Sequence, residues 1–359
     1  MPDPDLLILF RLLANRPRIL ELLLQRYGSA GAVIDNVTEV ELQTLSLERI
    51  DFDRCRTVYA AKVDRDIKWL QQPHHHLITL TDGNYPALLR EIHDPPVLLF
   101  ARGNLQALTS PGIAMVGSRN PTRSGMNTAR MLAADLANSG FVVISGMALG
   151  IDAAGHRGAL NADAATIAVF GTGCDLIYPS RHRRLADEIV ERGLLLSEFP
   201  LGTRSQAWHF PRRNRVVSGL SLGTIVVEAA LPSGSLISAN YAMEQGREVF
   251  AVPGSINIRQ SRGCHQLIRD GATLVENAND ILSQFSFMTC KTINRPEPTL
   301  TELQSSLLEH LDAQSRSTDE ISMALDLPVE KVVSTLIELE ILKLVCQEKG
   351  GYLRSVSTG

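Results

Sequence analysis

Between residues 113 and 252, six short apolar runs alternate with five helix-compatible segments, and no other feature of this 359-residue chain restricts its fold as tightly. The runs lie at 113–116, 141–144, 166–170, 194–196, 224–227 and 248–252. Each is apolar on successive residues instead of alternate ones, so both faces of each strand must be covered. The intervening segments, at 125–137, 152–160, 183–191, 213–220 and 235–245, have the length of crossover helices. Such an alternation predicts an α/β fold, a doubly wound Rossmann-like parallel sheet with helices on both faces. In sheets of this kind a ligand sits beyond the carboxyl ends of the strands.

The flanks read differently. Apolar residues from Leu6 to Leu24 recur at helical spacing, and a second helical run covers 58–70. Residues 1–72 are expected to form a helical, SAM-like module. Such a module can be a DNA-binding helix-hairpin-helix, but that motif needs a glycine-rich hairpin, and the turn here is Ala14-Asn15-Arg16-Pro17. A structural role is expected instead. His74, His75 and His76 follow; neighbouring strand residues point to opposite faces, so they read as a linker feature and no metal site is expected. Short strands at 77–80 and 97–100 are expected on the edge of an extended Rossmann-like domain spanning 73–290. A linker at 291–298 ends in Arg295-Pro296-Glu297-Pro298. In the remaining part, 299–359, helical stretches at 302–311, 318–325 (Thr318 as N-cap) and 329–339 precede strand-like pieces at 344–347 and 351–354, the order of a winged-helix domain. Its third helix carries Lys331 against Glu330, Glu338 and Glu340. Phosphate would be repelled there, so protein contact or a structural role is expected.

Charge narrows the function classes. The formal net charge is −4, but no lysine occurs between Lys68 and Lys291, and the chain from Glu297 onward holds 11 acidic against 5 basic residues. A bound polyanion would therefore meet arginines in the middle of the chain. Five scattered cysteines without a CxxC pair fit a reducing cytoplasm. No apolar run is long enough for a membrane span, and acidic Asp3 and Asp5 argue against a secretion signal.

The strand ends carry the chemistry. The first runs into Gly117-Ser118-Arg119, the second into Ser145-Gly146, the third into Gly171-Thr172-Gly173. Glycine and hydroxyl turns of this kind present backbone N–H groups to an anion. The fourth leads to SEFPLGTRSQAWHFPRRNRVVSG, residues 197–219, which mixes four arginines with Trp208 and Phe210. Guanidinium forks match phosphate oxygens and rings stack on bases, so a phosphate polymer lying across this segment is one reading. A crossover loop leading into a helix, with its arginines merely solvated or salt-bridged, is the other. Asp152 and His156 could form an acid–base pair or half a metal site, although helix capping with a structural hydrogen bond is the commoner outcome. There is no GxGxxG, no P-loop and no serine–histidine–acid set. No cofactor is expected, and a hydrolase with its own nucleophile is unsupported.

These residues resemble the DprA/Smf family of bacterial DNA-processing proteins. The similarity is carried by Val116-Gly117-Ser118-Arg119, SGMALGID from Ser145 with His156, GTGCDLIYP from Gly171, SEFPLG from Ser197, FPRRNRVVSGLS from Phe210, VVEA from Val226, SGSLISA from Ser233 and GREVFAVPG from Gly246. The resemblance implies a cytoplasmic protein that binds single-stranded DNA without cleaving it. It also implies loading of the recombinase RecA onto that strand during natural transformation, and a homodimer formed through the Rossmann-like domain. It places the DNA pocket at Gly117, Ser118, Arg119, Phe210, Arg212, Arg213, Asn214 and Arg215, with the turns at Ser145, Gly146, Gly171 and Gly173 beside it. The all-arginine pocket departs from relatives that mix in lysine. Two other readings remain: a nucleotide-cleaving enzyme resembling the lysine-decarboxylase-like (LOG) proteins, with Glu228 as its acid, or an adaptor that binds no DNA.

Overall fold

The structure is a computed structural model, and it describes residues 2–47, 50–285, 300–311, 316–341, 344–348 and 351–354. The chain divides into two compact units, Met1–Lys291 and Thr292–Gly359. The linker expected at 291–298 lies outside the described residues.

The first unit begins with helices α1 (Pro4–Leu12), α2 (Pro17–Tyr27), α3 (Ala30–Asn36), α4 (Glu39–Thr44) and α5 (Phe52–Leu70). Strand β1 (His75–Thr79), the short helix α6 (Ala87–Arg90) and β2 (Leu98–Gly103) lead into the alternating region. There β3 (Gly112–Val116), β4 (Val142–Ser145), β5 (Thr166–Val169), β6 (Leu194–Ser197), β7 (Gly223–Val226) and β8 (Glu248–Ala251) alternate with α7 (Arg123–Asn138), α8 (Ile151–Asn161), α9 (Arg183–Arg192), α10 (His209–Gly219) and α11 (Gly234–Glu244). Helix α12 (Arg262–Arg269), strand β9 (Thr273–Leu274) and helix α13 (Ala278–Leu282) follow.

The nine strands form one sheet in the order β1-β2-β6-β5-β4-β3-β7-β8-β9. From β6 to β9 every pairing is parallel, while β1 and β2 add an antiparallel edge beyond β6. The chain winds outward from β3 to β6, then returns to the other side of β3 as β7. Strand order therefore reverses at β3, and the crevice at such a reversal is where this architecture binds ligands.

The strands from β3 to β7 are buried along their full length, as expected of a sheet covered on both faces. The amino-terminal helices share a core with that sheet. Leu7, Leu9, Leu20 and Val33 are buried with Leu98, Phe100, Leu195 and Phe170, and Phe100 meets the rings of Phe10 and Trp69 at 6.0 and 5.9 Å. The Arg11–Asp66 pair adds a polar tie, because Arg11 also donates to Leu201 O at 3.1 Å in the loop after β6. The histidine run is committed locally. His75 stacks on Trp69 at 3.9 Å and shares a hydrogen bond with Trp69 O, while His76 Nε2 lies 3.3 Å from Gly103 O. Among the described residues, no cluster of three or more His, Cys, Asp or Glu could hold a metal ion.

The second unit contains α14 (Glu302–Glu309), α15 (Thr318–Leu325), α16 (Val329–Ile341) and the hairpin β10 (Val345–Glu348) with β11 (Gly351–Arg354), a winged-helix arrangement around Leu307, Ile321, Val332 and Leu336. Thr318 is not the cap of α15. Ser317 takes that role in a capping box with Glu320, because the cap must be the last residue still in extended backbone.

Candidate nucleic-acid interface

Helix α10 departs most from the sequence expectation. It begins at His209, four residues before the expected start at Arg213, so Phe210, Pro211 and Arg212 lie within the helix instead of in a loop before it. Pro211 is tolerated because it falls in the first turn, where its missing N–H has no partner to lose. Helical spacing then puts Arg212 and Arg215 on one face, and Phe210 and Arg213 on another.

The first of these faces points into the protein. Glu198, 3% exposed at the end of β6, pairs with Arg215 at 2.5 Å and with Arg212 at 3.2 Å. Arg215 is itself buried, and Asp94 reaches its Nε at 3.4 Å. Arg212 retains some exposure and lies with its guanidinium 5.4 Å above the Phe199 ring.

Arg213 is also interior. It donates to Gly146 O at the end of β4 and to Val169 O at the end of β5, and its Nε donates to Asn214 Oδ1 at 3.1 Å. A Cβ on Gly146 would stand 2.5 Å from this guanidinium, so the glycine makes room for the arginine. Burial lowers the Arg213 pKa to about 10, with the Asp152 charge acting in the opposite direction.

The other strand ends are likewise tied down. Ser118 N–H donates to Glu228 O at 2.7 Å, and Gly117 packs against Ile151. Ser145 Oγ donates to Met115 O at 2.6 Å. Gly173 N–H donates to Thr203 O at 2.9 Å, and Gly171 O accepts from the His209 ring at 3.0 Å. Asp152 does not cap the helix that follows it. Its carboxylate accepts from Gly146 N and Ala148 N at 3.1 and 3.2 Å, closing the turn after β4. These donors shape the crevice and are not free for a ligand.

His156 lies next to this network. Thr166 Oγ1 gives its proton to Val143 O, so it must accept at 2.8 Å from His156 Nδ1–H. Nε2 is left as a buried acceptor without a partner. Burial lowers the His156 pKa to about 3, and the neighbouring His182 and Arg213 charges act in the same direction.

Two predicted site residues do face outward together. Arg119 is exposed beyond β3 at the strand-order reversal, and its guanidinium lies 5.6 Å over the Phe210 ring. It forms no ion pair with a described residue. Phe210 is partly exposed, and the close approach of Gly171, whose Cβ would sit 3.0 Å from the ring, seats it at the end of β5. Tyr178 lies against the same ring at 5.7 Å, a residue whose motif was visible in the sequence without a role attached. Trp208 is committed instead to Gln206 Oε1 at 2.6 Å and to the edge of Phe199.

Glu228 has no free acid to offer. Its carboxylate accepts from Thr122 N at 2.9 Å and from Thr122 Oγ1 at 2.5 Å, joining the end of β7 to the start of α7.

Comparison with known proteins identifies the family. Residues 76–286 match the family model for DNA recombination-mediator protein A, and residues 292–351 match that for the DprA winged helix domain. The protein Smf of Escherichia coli is 39% identical over 328 residues, covering 89% of this chain and 88% of that protein. The DNA processing protein DprA of Streptococcus pneumoniae is 47% identical over 209 residues, 58% of this chain and 74% of its own length. Its crystal structure superposes with a TM-score of 0.60 at 42% identity, over 65% of this chain and 80% of that one. A structure of DNA processing protein A from Helicobacter pylori, described in terms of its single-stranded DNA binding mode, gives a TM-score of 0.54 at 31% identity, over 60% of this chain and 98% of that one.

Proposed function

Because this chain belongs to the DprA/Smf family, we propose that it captures single-stranded DNA at the strand-order reversal, without cleaving it, in DNA processing linked to uptake and recombination. The observation that carries the reading is the Arg119–Phe210 pair. A cation with no carboxylate partner among the described residues lies against a partly exposed ring, at the place where this sheet architecture binds ligands. Arg119 takes a phosphate, and Phe210 takes a base.

The remaining site residues have supporting roles. Arg212, partly exposed, adds positive potential beside the strand, although Glu198 offsets part of its charge. Arg213 and Arg215 fix α10 against the ends of β4, β5 and β6. Asn214, Ser118, Ser145, Gly117, Gly146, Gly171 and Gly173 shape the crevice around them.

The reading extends to loading RecA onto the captured strand, to action in the cytoplasm, and to a homodimer through the Rossmann-like domain. Exposed Ile237 and Met243 on α11 and Leu231 just before it support such self-association. No helix among the described residues is long and apolar enough to cross a membrane. The nucleotide-cleaving alternative loses its support, since Glu228, Asp152 and His156 are held in internal hydrogen bonds.

Filter binding of single- and double-stranded DNA across a salt series tests the reading. The expected result is a preference for single strands, with a log–log slope of about −0.7 per phosphate neutralised. Equal binding to both forms, or none to either, would reject it.

A further inference from the structure

The loop after β5 holds an aromatic side chain that capture by Arg119 and Phe210 leaves unused. Tyr178 is 51% exposed, yet its ring packs 5.7 Å from Phe210 at an interplanar angle of 39°. The loop beneath it is rigidly held. Gly173 N–H donates to Thr203 O at 2.9 Å, Thr172 Oγ1 donates to Leu176 O at 2.6 Å, and the Asp175 carboxylate accepts Gly202 N–H at 2.9 Å. Among the described residues the tyrosine hydroxyl makes no hydrogen bond, so no polar anchor accounts for its position. Trp208, of similar exposure, is pinned at both its nitrogen and its ring edge. A half-exposed ring on a fixed loop, beside a cation–ring pair, leaves an aromatic face open to a planar ligand, and a tyrosine has few torsions to freeze on binding.

Resting on the single-strand reading above, we propose that Tyr178 is a second base platform: the base next to the one on Phe210 stacks on its ring. Tyr178 thereby sets the path of the strand past Arg119. Stacking is tolerant of base identity, so the residue contributes affinity and strand path, not sequence preference.

Fluorescence anisotropy with the full chain tests this on two oligothymidylates, one intact and one built with abasic units, at several salt concentrations. Wild type is compared with Y178F, Y178L and Y178A. Y178A and Y178L are expected to lose about 5- to 150-fold in affinity for the intact strand, the range for loss of one stacked base. Y178F should bind as wild type does. All four proteins should bind the abasic strand equally, with one common salt slope. Y178L keeps the bulk of the loop contact, so its loss separates stacking from loop collapse. An unchanged Y178A, or an equal loss on both strands, overturns the assignment while leaving the single-strand reading intact. Failure of wild type to bind the intact strand overturns both.

Discussion

The arginines of this site fall into two groups that the sequence does not distinguish. Arg119 faces solvent over an aromatic ring and has no carboxylate partner among the described residues. Arg213 and Arg215, on α10, are buried and bound to carbonyls or to Glu198. The difference follows from what each guanidinium meets. A charge that leaves water must be paired and hydrogen-bonded, and the ends of β4, β5 and β6 provide carbonyls and one carboxylate. A charge that stays in water keeps its reach toward a passing phosphate. Arg213 and Arg215 thus hold α10 to the strand ends, while Arg119 stays exposed beside Phe210.

The largest expected effect tests the inward group. Arg213→Met removes the donor to Gly146 O and Val169 O and leaves Asp152 without its nearest cation. Leaving two buried carbonyls without a donor costs about 1–3 kcal/mol each, so urea unfolding should shift its midpoint strongly. An unchanged midpoint with lost DNA binding would make Arg213 a contact residue and collapse the distinction.

The outward group should behave in the opposite way. Arg119→Glu is expected to cost about 1.5–3 kcal/mol of single-strand binding, the worth of hydrogen bonds to a charged group, and to flatten the salt slope by about 0.7. Its stability should stay within about 0.5 kcal/mol of wild type, as for most surface changes. An unfolding shift as large as that of Arg213→Met would place Arg119 in the scaffold.

Acid sharpens the contrast from inside. His156 is held neutral, its pKa lowered to about 3 by burial, whereas an unfolded histidine titrates near 6.5. Below that pH the unfolded chain takes up a proton that the native protein refuses, so the native state loses stability as pH falls toward the folded value. The loss approaches about 1.4 kcal/mol per pH unit. His156→Gln should be less stable than wild type at pH 7 and should close the gap below pH 6. A gap that stays constant from pH 7 to 4.5 would mean that the native imidazole takes up its proton at the same pH as the unfolded one.

The sheet was legible because continuous apolar strands admit few alternatives, and the six expected runs correspond to β3 through β8. Strand β9 was not, since two residues, Thr273 and Leu274, carry no periodic signal. The start of α10 was misplaced because Pro211 reads as a breaker unless its position in the turn is known. Harder to see was the direction of the arginines. The sequence left salt-bridged arginines open as one reading, but nothing in it says which of the four reach Glu198 and which reach backbone carbonyls. The glycines have a packing role that the sequence did not show: Gly146 admits the Arg213 guanidinium and Gly117 admits Ile151.

The smallest expected effect concerns the second unit, whose third helix can be set against α10 as a surface with the opposite charge balance. Helix α16 carries Lys331 among Glu330, Glu338 and Glu340, and Glu338 accepts from Gln304 on α14 at 2.9 Å. One exposed lysine beside three carboxylates gives little net attraction for phosphate at physiological salt. Lys331→Ala should therefore leave the affinity and the salt slope unchanged on both single strands and duplex. A slope that flattens by about 0.7–0.9 in that variant would put a phosphate contact on the winged helix. Recognition would then no longer be confined to the exposed arginine beyond β3.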